Sequence, residues 1–462
     1  MLTQRLPKTR VIRFVPLAAA VILSGACATD LLVPDYNNPS IEDLSSSPTP
    51  TKIASAAQGL LIGTRVQQGE QNGYVSLLGI LGRESYNFDP ADPRFITEML
   101  IGPLDPGSPA FGANLFAFPY RNIRNANILL EAVEGVAGMT AAQVEAIRGF
   151  AKTIQALDYL YVINTRDDLG APVDVNRAAT LDPAPFVSKA EILTNVVRLL
   201  DEGATHLQAA GTAFPLTLSP GFAGFNTPAT FITFNRGLKA RVEVYRRGYA
   251  AAVAALNASF INTTAPLSLG AYHSYSTGSG DLQNRLFDPE GRAILAHPSL
   301  LTDAALRPGG SPDARLTAKV AAITARTVQG ITAGHVFTIY GSNTASVPII
   351  RNEELILLRA EARYFTGDQA GALNDINFIR TTSGLLAARG PFTSESDFVT
   401  ELLSQRRYSL MFEGGHRWID TRRFGLLPTL PKALPTHNIA SRFPFPEGEC
   451  LARLPDKPAG CP

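Results

Sequence analysis

Hydrophobic side chains recur at intervals of three and four residues over several long stretches of the chain. This spacing is typical of α-helices that bury one face. One stretch of nearly five turns carries Val144, Ile147, Ala151, Ile154 and Tyr161 on a single face. The pattern predicts helices over 53–67, 120–133, 140–161, 188–200, 231–247, 249–259, 352–365, 369–379 and 394–412.

Three of these predicted helices carry a start signal, one of them Ser394 with Asp397 as its cap partner. Thr140 with Gln143 and Ser188 with Glu191 have the spacing of a capping box, in which the first side chain caps the helix and the second returns to its backbone. We therefore expect helices to begin directly after Thr140 and Ser188.

The predicted helices fall into pairs, within 120–259 and 352–413. In the second group Gly367 and Asp368 separate two helical stretches, and small alanines lie where the helices would cross. This arrangement is similar to a tetratricopeptide unit, which buries its apolar face only when several units stack. The predicted fold is mostly all-α, a solenoid of helix pairs with few short strands.

Segments 68–118 and 260–347 lack a sustained helical period and are rich in Gly, Pro, Ser, Thr and Tyr. We expect loops, short helices and a few short strands there. Because binding residues concentrate on loops carried by a rigid scaffold, these two segments are the predicted ligand-binding face of one domain over 51–462.

Segment 1–26 is typical of an export signal. Basic residues end at Arg13, and an apolar stretch too short to span a bilayer leads to small residues before Cys27. This resembles a bacterial lipoprotein signal, which predicts lipidation of Cys27 and a Pro/Ser/Asn-rich tether over 27–50. Ordinary cleavage near Ala26 or Ala28, which would release a soluble secreted chain, is the alternative.

Formal net charge is +1 over 462 residues, and segment 1–27 contains four basic side chains and no acidic one, which leaves −3 for the remainder. Nucleic-acid binding needs a basic face, so we expect no nucleic-acid partner. The two remaining cysteines, Cys450 and Cys461, lie in a Pro/Gly-containing tail over 428–462. Because an exported chain enters an oxidising environment, we expect a disulfide between them.

The sequence offers no recognisable catalytic or metal site. Its six histidines are scattered, and neither a zinc-type His/Cys spacing, a phosphate loop nor a GxSxG elbow is present. Acid pairs such as Asp167 with Asp168 lie in no catalytic context. We expect no enzyme activity, cofactor or metal, with a secreted glycoside hydrolase as the alternative.

Near the end of the chain, the passage LLSQRRYSLMFEGGHRWIDTRRFG places opposite charges close together. We interpret it as structural, with a lattice of ion pairs fixing the end of the chain to the solenoid and the only tryptophan buried. The residues assigned this role are Glu413, Arg417, Trp418, Asp420 and Arg422.

Three passages together resemble the SusD/RagB family of outer-membrane nutrient-binding lipoproteins. They are DLLVPDYNNPS after Cys27, the segment Arg351–Leu385, and the segment Leu402–Gly425. In the third passage, seven residues occur in the same order as in the family's motif. They are Glu413, His416, Arg417, Trp418, Asp420, Arg422 and Arg423.

The resemblance implies a helical fold with four tetratricopeptide-like pairs, and glycan or oligosaccharide binding at the cell outer membrane. It also implies a partner, a SusC-like TonB-dependent outer-membrane receptor over which the lipid-anchored protein lies. Peptides or other nutrients are the alternative cargo.

Sugar rings pack their C–H faces on aromatic rings and exchange hydrogen bonds with Asp, Asn, Gln and Arg side chains. Two loop regions, 74–98 and 272–287, supply that mixture. The predicted ligand-binding residues are Tyr86, Asn87, Phe88, Asp92, Arg94, Tyr272, Tyr275, Asp281, Gln283 and Arg285. The alternative is that these aromatic rings pack the loops onto the helices.

Overall fold

The computed structural model describes residues 44, 46–177, 182–455 and 457–461. The predicted signal segment, the candidate lipid site Cys27 and most of the predicted tether lie outside the described residues.

Fifteen α-helices are numbered here in chain order within the described residues. They are α1 (Pro50–Arg65), α2 (Tyr74–Leu81), α3 (Arg94–Ile96), α4 (Asn114–Ala132), α5 (Ala141–Arg166), α6 (Lys189–Ala209), α7 (Pro228–Tyr245), α8 (Tyr249–Asn257), α9 (Ser299–Thr302), α10 (Ala314–Lys319), α11 (Asn352–Phe365), α12 (Gln369–Thr382), α13 (Glu395–Ser409), α14 (His416–Arg423) and α15 (Glu447–Leu451).

The long helices pack on one another in an order that follows the chain. Helix α1 contacts α4, α4 contacts α5, and the series continues through α6, α7 and α8 to α11, which contacts α12 and α13. Apolar residues from all parts of this series up to α11 form one core cluster. The predicted solenoid of helix pairs is therefore confirmed.

Both predicted capping boxes are present. The hydroxyl of Thr140 accepts a hydrogen bond from the backbone N–H of Gln143, and the side chain of Gln143 accepts one from the N–H of Thr140. Ser188 and Glu191 make the same reciprocal pair at the start of α6. These bonds satisfy backbone donors that have no partner inside the helix.

A buried carboxyl group joins three of the helices. Thr64 Oγ1 of α1 donates to Asp158 Oδ1 at 2.6 Å, and Asn122 Nδ2 of α4 donates to Asp158 Oδ2 at 2.7 Å. Burial raises the pKa of Asp158 to about 7, although both hydrogen bonds oppose the shift. Ionisation of Asp158 at this buried position therefore destabilises the folded state.

The strands are short and form four antiparallel pairs within the described residues. They are β1 (Ser85–Asn87), β2 (Ala171–Pro172), β3 (Phe186–Val187), β4 (Gly270–His273), β5 (Ile294–Ala296), β6 (Val320–Val328), β7 (Ile331–Phe337) and β8 (Val347–Arg351). The pairs are β1–β5, β2–β3, β4–β8 and β6–β7. Gln329 and Gly330, which connect β6 to β7, both have positive φ, as a tight hairpin turn with the native twist requires.

The loop-rich segments have a core of their own. It is a cluster that includes Val75, Tyr275, Leu286, Phe337 and Phe412. The rings of Phe337 and Phe412 stack with their centroids 4.2 Å apart. The cluster contains residues from both loop-rich segments and from the C-terminal part of the chain. The loop face is therefore packed against that part of the chain through apolar contacts.

Helix α2 lies within a segment that the sequence pattern predicts to be loop-rich. All eight of its residues are buried. A helix that is covered on every side needs apolar residues on every side, so it has no polar face. The sequence YVSLLGIL therefore shows no amphipathic period from which the helix could be predicted.

The passage around α14 is held by buried ion pairs and by its tryptophan. Arg406 Nε lies 2.6 Å from Asp420 Oδ2, and Glu413 accepts hydrogen bonds from Arg351 at 2.8 and 2.9 Å. The fully buried Trp418 donates its indole N–H to the carbonyl of Ala440 at 2.8 Å.

Two arginines of this passage make contacts that the charge pattern did not specify. Arg422 Nε lies 3.2 Å from Asp167, and its guanidinium lies 4.4 Å from the centre of the Trp418 ring. Arg417 Nη1 donates to the backbone carbonyl of Arg83 at 3.1 Å. This passage is therefore held partly by the expected ion pairs, and partly by a hydrogen bond to a backbone carbonyl and a cation–π contact with Trp418.

The tail after α14 returns to the solenoid. Cys450 and Cys461 form a disulfide that closes the last turn of the chain, and Cys450 is buried. Among the described residues, no helix is both long and apolar enough to cross a membrane.

Candidate functional site

A polar cavity of about 610 Å3, here called the central cavity, lies between the two loop-rich segments. Its lining residues are Glu70, Gln71, Asn72, Asp89, Asp92, Phe95, Asp281, Leu282, Gln283, Asn284, Arg285, Phe287 and Asn343. Carboxylates and amides dominate this lining, and only Phe95, Leu282 and Phe287 are apolar.

A second cavity of about 450 Å3 lies on the other side of Asp281 and is here called the tyrosine cavity. Its lining residues are Gln58, Leu61, Ile62, Arg65, Thr217, Ser219, Pro220, Phe222, Tyr272, His273, Ser274, Tyr275, Ser276, Ser279, Gly280 and Asp281. Tyr272 is partly exposed, and Ile62 is 49% exposed. This cavity therefore offers apolar surface.

A third cavity of about 620 Å3, here called the arginine cavity, shares two lining residues with the central cavity. Its lining residues are Gln71, Asp89, Pro90, Glu290, Gly291, Arg292, Ala293 and Arg326. Gln71 and Asp89 belong to both the central and the arginine cavity, and Asp281 belongs to both the central and the tyrosine cavity. The three cavities are consecutive along the loop face.

Arg65, the last residue of α1, fixes the wall between the tyrosine and central cavities. Its guanidinium donates to the carboxylate of Asp281 and to the backbone carbonyl of Ser274, and lies 5.7 Å from the centre of the Tyr275 ring. Arg65 is only 8% exposed. A solenoid helix thus sets the position of the loop that divides the two cavities.

The far end of the same loop is held by backbone and amide contacts. Asn284, which is buried, donates from Nδ2 to the carbonyl of Ala345 at 2.8 Å, and its backbone N–H donates to the carbonyl of Asn343 at 2.7 Å. The N–H of Arg285 donates to the carbonyl of Gly69 at 2.7 Å. These bonds leave the side chains of Gln283 and Arg285 exposed at the cavity.

Two carboxylates of the central cavity are held in the ionised form. Burial opposes ionisation of Asp281, but hydrogen bonds from Ser276 and the Leu282 N–H together with the charge of Arg65 outweigh it and lower its pKa. Arg94 lies 2.7 Å from Asp92 and lowers the pKa of that carboxyl by hydrogen bonding. Both groups are acceptors at neutral pH, which suits the recognition of hydroxyl groups.

Glu70 differs from these two carboxylates. Burial raises its pKa, although the charge of Arg285, whose Nε lies 3.2 Å away, acts in the opposite direction. In the tyrosine cavity, burial lowers the pKa of His273 to about 3, and its Nε2 lies 3.0 Å from the hydroxyl of Tyr161. The imidazole is therefore neutral at physiological pH.

The structure brings together six of the ten predicted ligand-binding residues. Asp92, Gln283 and Arg285 line the central cavity, and Tyr272 and Tyr275 line the tyrosine cavity. Asp281, the sixth, lies between the two.

Three of the other predicted residues are buried, so their assignment to a ligand-contacting surface is wrong for this structure. Tyr86, Asn87 and Phe88 are each 2% exposed. Tyr86 and Asn87 lie in β1, which pairs with β5, and the hydroxyl of Tyr86 lies 2.9 Å from His297 Nε2. These aromatic rings pack the loop onto the rest of the chain.

Arg94 and Tyr275 also differ from the expectation. Arg94 is exposed but lines none of the three cavities, and its guanidinium lies 4.6 Å from the centre of the Phe111 ring. Tyr275 is 7% exposed and belongs to the core of the loop face. A Cβ placed on Gly69 would lie 2.8 Å from its Cζ and Oη atoms, so its ring needs a glycine there.

Several cavity residues were not singled out by the sequence pattern. They are Ile62 and Arg65 at the end of α1, the polar run Glu70–Asn72, Asp89, Phe287 and Asn343. The run GEQN after α1 was a usable signal, because a polar segment that leaves a long helix lies at the edge of the scaffold. No local pattern distinguishes Asn343, which reaches the site only through the fold.

A cavity of about 920 Å3 lies beside the C-terminal tail. Prolines, aliphatic side chains and the Phe186 and Phe445 rings form much of its lining. Its lining includes Asp182, the first described residue after the gap at 178–181, so we place the candidate site on the loop face. Within the described part of the chain, no group of three His, Cys, Asp or Glu residues could hold a metal ion.

The fold and the site together describe one class of protein, a solenoid of helix pairs that carries a loop face containing cavities. In sequence, the model of the SusD family matches residues 325–447. No curated protein matches the chain significantly.

Solved structures of SusD-like proteins share this fold. A SusD-like protein from Bacteroides fragilis is 16% identical, with a TM-score of 0.65 over 89% of this chain and 96% of that one. A laminarin-binding SusD-like protein is 16% identical, with a TM-score of 0.61 over 89% of this chain and 99% of that one. Surface glycan-binding protein A from Bacteroides thetaiotaomicron, in complex with laminarihexaose, is 14% identical, with a TM-score of 0.64 over 87% of this chain and 98% of that one.

At these identities the solved structures establish the fold, and the family match lies in the C-terminal third. The predicted resemblance to the SusD/RagB family is thereby confirmed, and the fold is that of SusD-like proteins.

Proposed function

We propose that this protein is a surface lipoprotein of the outer membrane that binds an oligosaccharide on its loop face and delivers it to a TonB-dependent transporter. The observation that carries the binding part is the series of cavities held on a rigid helical scaffold, in which partly exposed aromatic and aliphatic surface adjoins ionised carboxylates and amides. Two proteins of the same fold, the laminarin-binding SusD-like protein and the glycan-binding protein in complex with laminarihexaose, support a carbohydrate as cargo.

Binding requires no chemistry from these residues. Asp281 and Asp92 are held ionised by arginines and hydrogen bonds, so they act as hydrogen-bond acceptors and are poor proton donors. Because the solved structures of the same fold include a laminarin-binding protein and a glycan-binding protein, we infer that this protein also binds carbohydrate and is not an enzyme. Because flat sugar contacts bury little area and the ligand must be ordered, the affinity of the isolated protein should be modest.

The decisive experiment uses the exported full chain with Cys27→Ser, which removes the candidate lipid site. Affinity electrophoresis and calorimetry measure its binding to laminarin, amylopectin, inulin, xylan and galactomannan, and a reducing-sugar assay measures turnover. We expect binding to at least one polysaccharide without turnover. Binding to none of them together with capture of peptides would overturn the cargo, and turnover would overturn the binding-only role.

Tyr272 provides the test of the site. Tyr272→Ala removes a partly exposed ring from the tyrosine cavity and should weaken polysaccharide binding by about tenfold. Tyr272→Phe keeps the ring and should bind like the wild type. Equal binding by all three proteins would place the site elsewhere.

The anchor and the transporter rest on the family resemblance and on Cys27. Mass spectrometry of the N-terminus from a bacterial host should show a diacylglyceryl-type modification of Cys27, and Cys27→Ser should release the chain from membranes. An outer-membrane barrel should co-purify with the lipidated protein after mild crosslinking. An unmodified N-terminus, or crosslinking that yields no barrel, would contradict these two parts of the proposal separately.

A further inference from the structure

Residues 276–281 form a short turn between the tyrosine and central cavities, here called the gate segment. A backbone hydrogen bond from the Ser276 N–H to the carbonyl of Leu282, at 3.0 Å, closes its base. Residues 277–280 at its tip are exposed, and a Cβ placed on Gly280 would meet no atom within 4 Å. The tip therefore has open space around it.

The gate segment holds its own shape through internal hydrogen bonds. Ser276 Oγ donates to Asp281 Oδ2 at 2.6 Å and accepts from the Gly278 N–H at 3.2 Å. The Asp281 N–H donates to the carbonyl of Gly278 at 3.0 Å. Because a compact loop of this kind is packed by its own groups, it can move as one unit.

The residues on either side of the gate segment are fixed to the rest of the loop face. Tyr275, which precedes it, belongs to the core of the loop face, and Leu282, which follows it, packs against the same core. The segment thus has a fixed stem at both ends. Any movement of it is a rotation about that stem, as in other hinged loops.

One side chain connects the gate segment to the helical scaffold. In the part of the chain that the structure describes, Arg65 of α1 is the only residue outside 274–283 that forms an ion pair or a hydrogen bond with residues 276–281. The guanidinium of Arg65 also donates to the carbonyl of Ser274, in the stem. The ion pair with Asp281 therefore decides where the segment lies.

Separation of this ion pair would leave the segment intact. Arg65 bonds to Oδ1 of Asp281, whereas Ser276 bonds to Oδ2. The Asp281 side chain is 29% exposed, so water can replace Arg65 as its partner. Two states that differ by one such contact coexist, with the minor state in about 0.1–10% of the molecules.

From these contacts we propose that residues 276–281 are a gate between the tyrosine and central cavities and that Arg65 is the latch that holds it closed. Asp281 lines both cavities, and Ser279 and Gly280 line the tyrosine cavity. Rotation of the gate therefore changes both cavities at once. Arg65 is a positioning residue, which acts on the cavities through Asp281.

The test measures the position of the gate without any ligand. The exported full chain with Cys27→Ser receives spin labels at Ser279→Cys, in the exposed tip, and at Thr194→Cys, an exposed position of α6. Pulsed electron resonance then gives the distance between the two labels. We expect one distance in this parent chain and, with Arg65→Met, a second distance in at least about a tenth of the molecules.

Two further variants make the result specific to the latch. Asp281→Asn breaks the same ion pair from the other side and should populate the same second distance, and its combination with Arg65→Met should add nothing further. The matched control is Arg285→Met, because Arg285 pairs with Glu70, at 3.2 Å, and not with the gate. This control should keep the single distance of the parent chain.

A second pair of labels, at Thr194→Cys and the exposed Asn374→Cys of α12, monitors the helical scaffold. Its distance should be the same in all variants. A changed scaffold distance in Arg65→Met would overturn the latch, since the substitution would then disturb the helices. An unchanged gate distance in both Arg65→Met and Asp281→Asn would also overturn it, as would a second distance in Arg285→Met.

The role of the gate in ligand access rests on the proposed function and is measured separately. With the polysaccharide that binds best in the panel described above, Arg65→Met should raise the association and dissociation rates at least about fivefold, because passage no longer waits for the ion pair to separate. A rise in the dissociation rate alone would mean a lost ligand contact and would overturn the gating role, as would unchanged rates. Failure of every polysaccharide to bind would overturn the proposed function, whereas the label distances would still decide whether Arg65 holds the gate.

Discussion

Removing the charge of Asp420 should destabilise this protein strongly without any direct effect on the cavities. Asp420 is 2% exposed and lies between two arginines, with Arg406 Nε at 2.6 Å and Arg423 Nη2 at 2.9 Å. Arg423 has a second partner, Glu361, at 2.9 Å, but the Nη1 and Nη2 atoms of Arg406 have no hydrogen-bond acceptor. In Asp420→Asn, Arg406 therefore becomes a buried cation that has lost the carboxylate with which it forms its ion pair.

Breaking a buried ion pair by removing one partner costs about 3–5 kcal/mol, because the remaining charge stays out of water. We expect a loss of this size in the free energy of unfolding of Asp420→Asn, measured by urea denaturation at pH 7. Adding Arg406→Met to Asp420→Asn removes the orphaned cation and should recover part of the loss. The double variant should thus be more stable than Asp420→Asn alone.

The matched control is Asp303→Asn. Asp303 also lies 2.7 Å from an arginine, Arg407, but its side chain is 48% exposed. Solvent-exposed ion pairs contribute about 1 kcal/mol or less, so this substitution should have a small effect. A loss below about 1 kcal/mol for Asp420→Asn, or a loss equal to that of Asp303→Asn, would refute the role assigned to burial.

The pH dependence gives a second check on the same group. Burial opposes ionisation of Asp420, but Arg406 and Arg423 outweigh it and lower its pKa below the ordinary value. A carboxyl with a lowered pKa stabilises the folded state above its unfolded pKa of about 3.9 and loses that contribution as the pH falls through the folded value. The stability difference between wild type and Asp420→Asn should therefore stay constant from pH 7 to about pH 4 and shrink below it.

Three further outcomes are expected. Asp158→Asn should remove the loss of stability that ionisation of Asp158 causes as the pH rises from about 4 to its folded pKa of about 7, seen by urea denaturation at pH 4 and pH 8. Replacing Cys450 and Cys461 by serine opens a loop with a sequence separation of 11, which should cost about 3 kcal/mol and expose the tail to limited proteolysis. Gly69→Ala should displace the Tyr275 ring, which belongs to the core of the loop face, and so lower the melting temperature as well as weaken polysaccharide binding, measured by calorimetry.

Each of these outcomes can fail in a definite way. Parallel pH profiles for wild type and Asp158→Asn would mean that the carboxyl titrates normally. Unchanged proteolysis of the tail would mean that packing alone holds it. Wild-type polysaccharide binding by Gly69→Ala would remove Tyr275 from the description of the site.

Much of the scaffold was predictable because its signals are local. Hydrophobic spacing located the long helices, and the capping boxes at Thr140 and Ser188 located two helix starts, since a cap involves residues only three positions apart. The loop-rich character of 68–118 and 260–347 also followed from composition. Helix α2 was missed because burial on all sides removes the amphipathic period.

The candidate site was predictable only in part. The polar loop residues Asp281, Gln283 and Arg285 do line a cavity, as expected for charged and amide side chains on a loop. Tyr86 and Phe88 lie in a loop segment of similar polar and aromatic composition, but both side chains are buried. The reason is that β1 pairs with β5, a strand from the other loop-rich segment. Composition alone does not distinguish an aromatic ring that packs a loop from one that meets a ligand.

The sequence by itself determined the helices, their caps, the division into scaffold and loop segments and the resemblance to the SusD/RagB family. These depend on spacings of a few residues, or on a motif that is continuous in the chain. Only the tertiary structure decided which side chains face the cavities, that Arg65 of α1 fixes Asp281, and that three cavities adjoin. Those features depend on contacts between residues far apart in the chain, where the burial of one side chain is set by whichever distant element covers it.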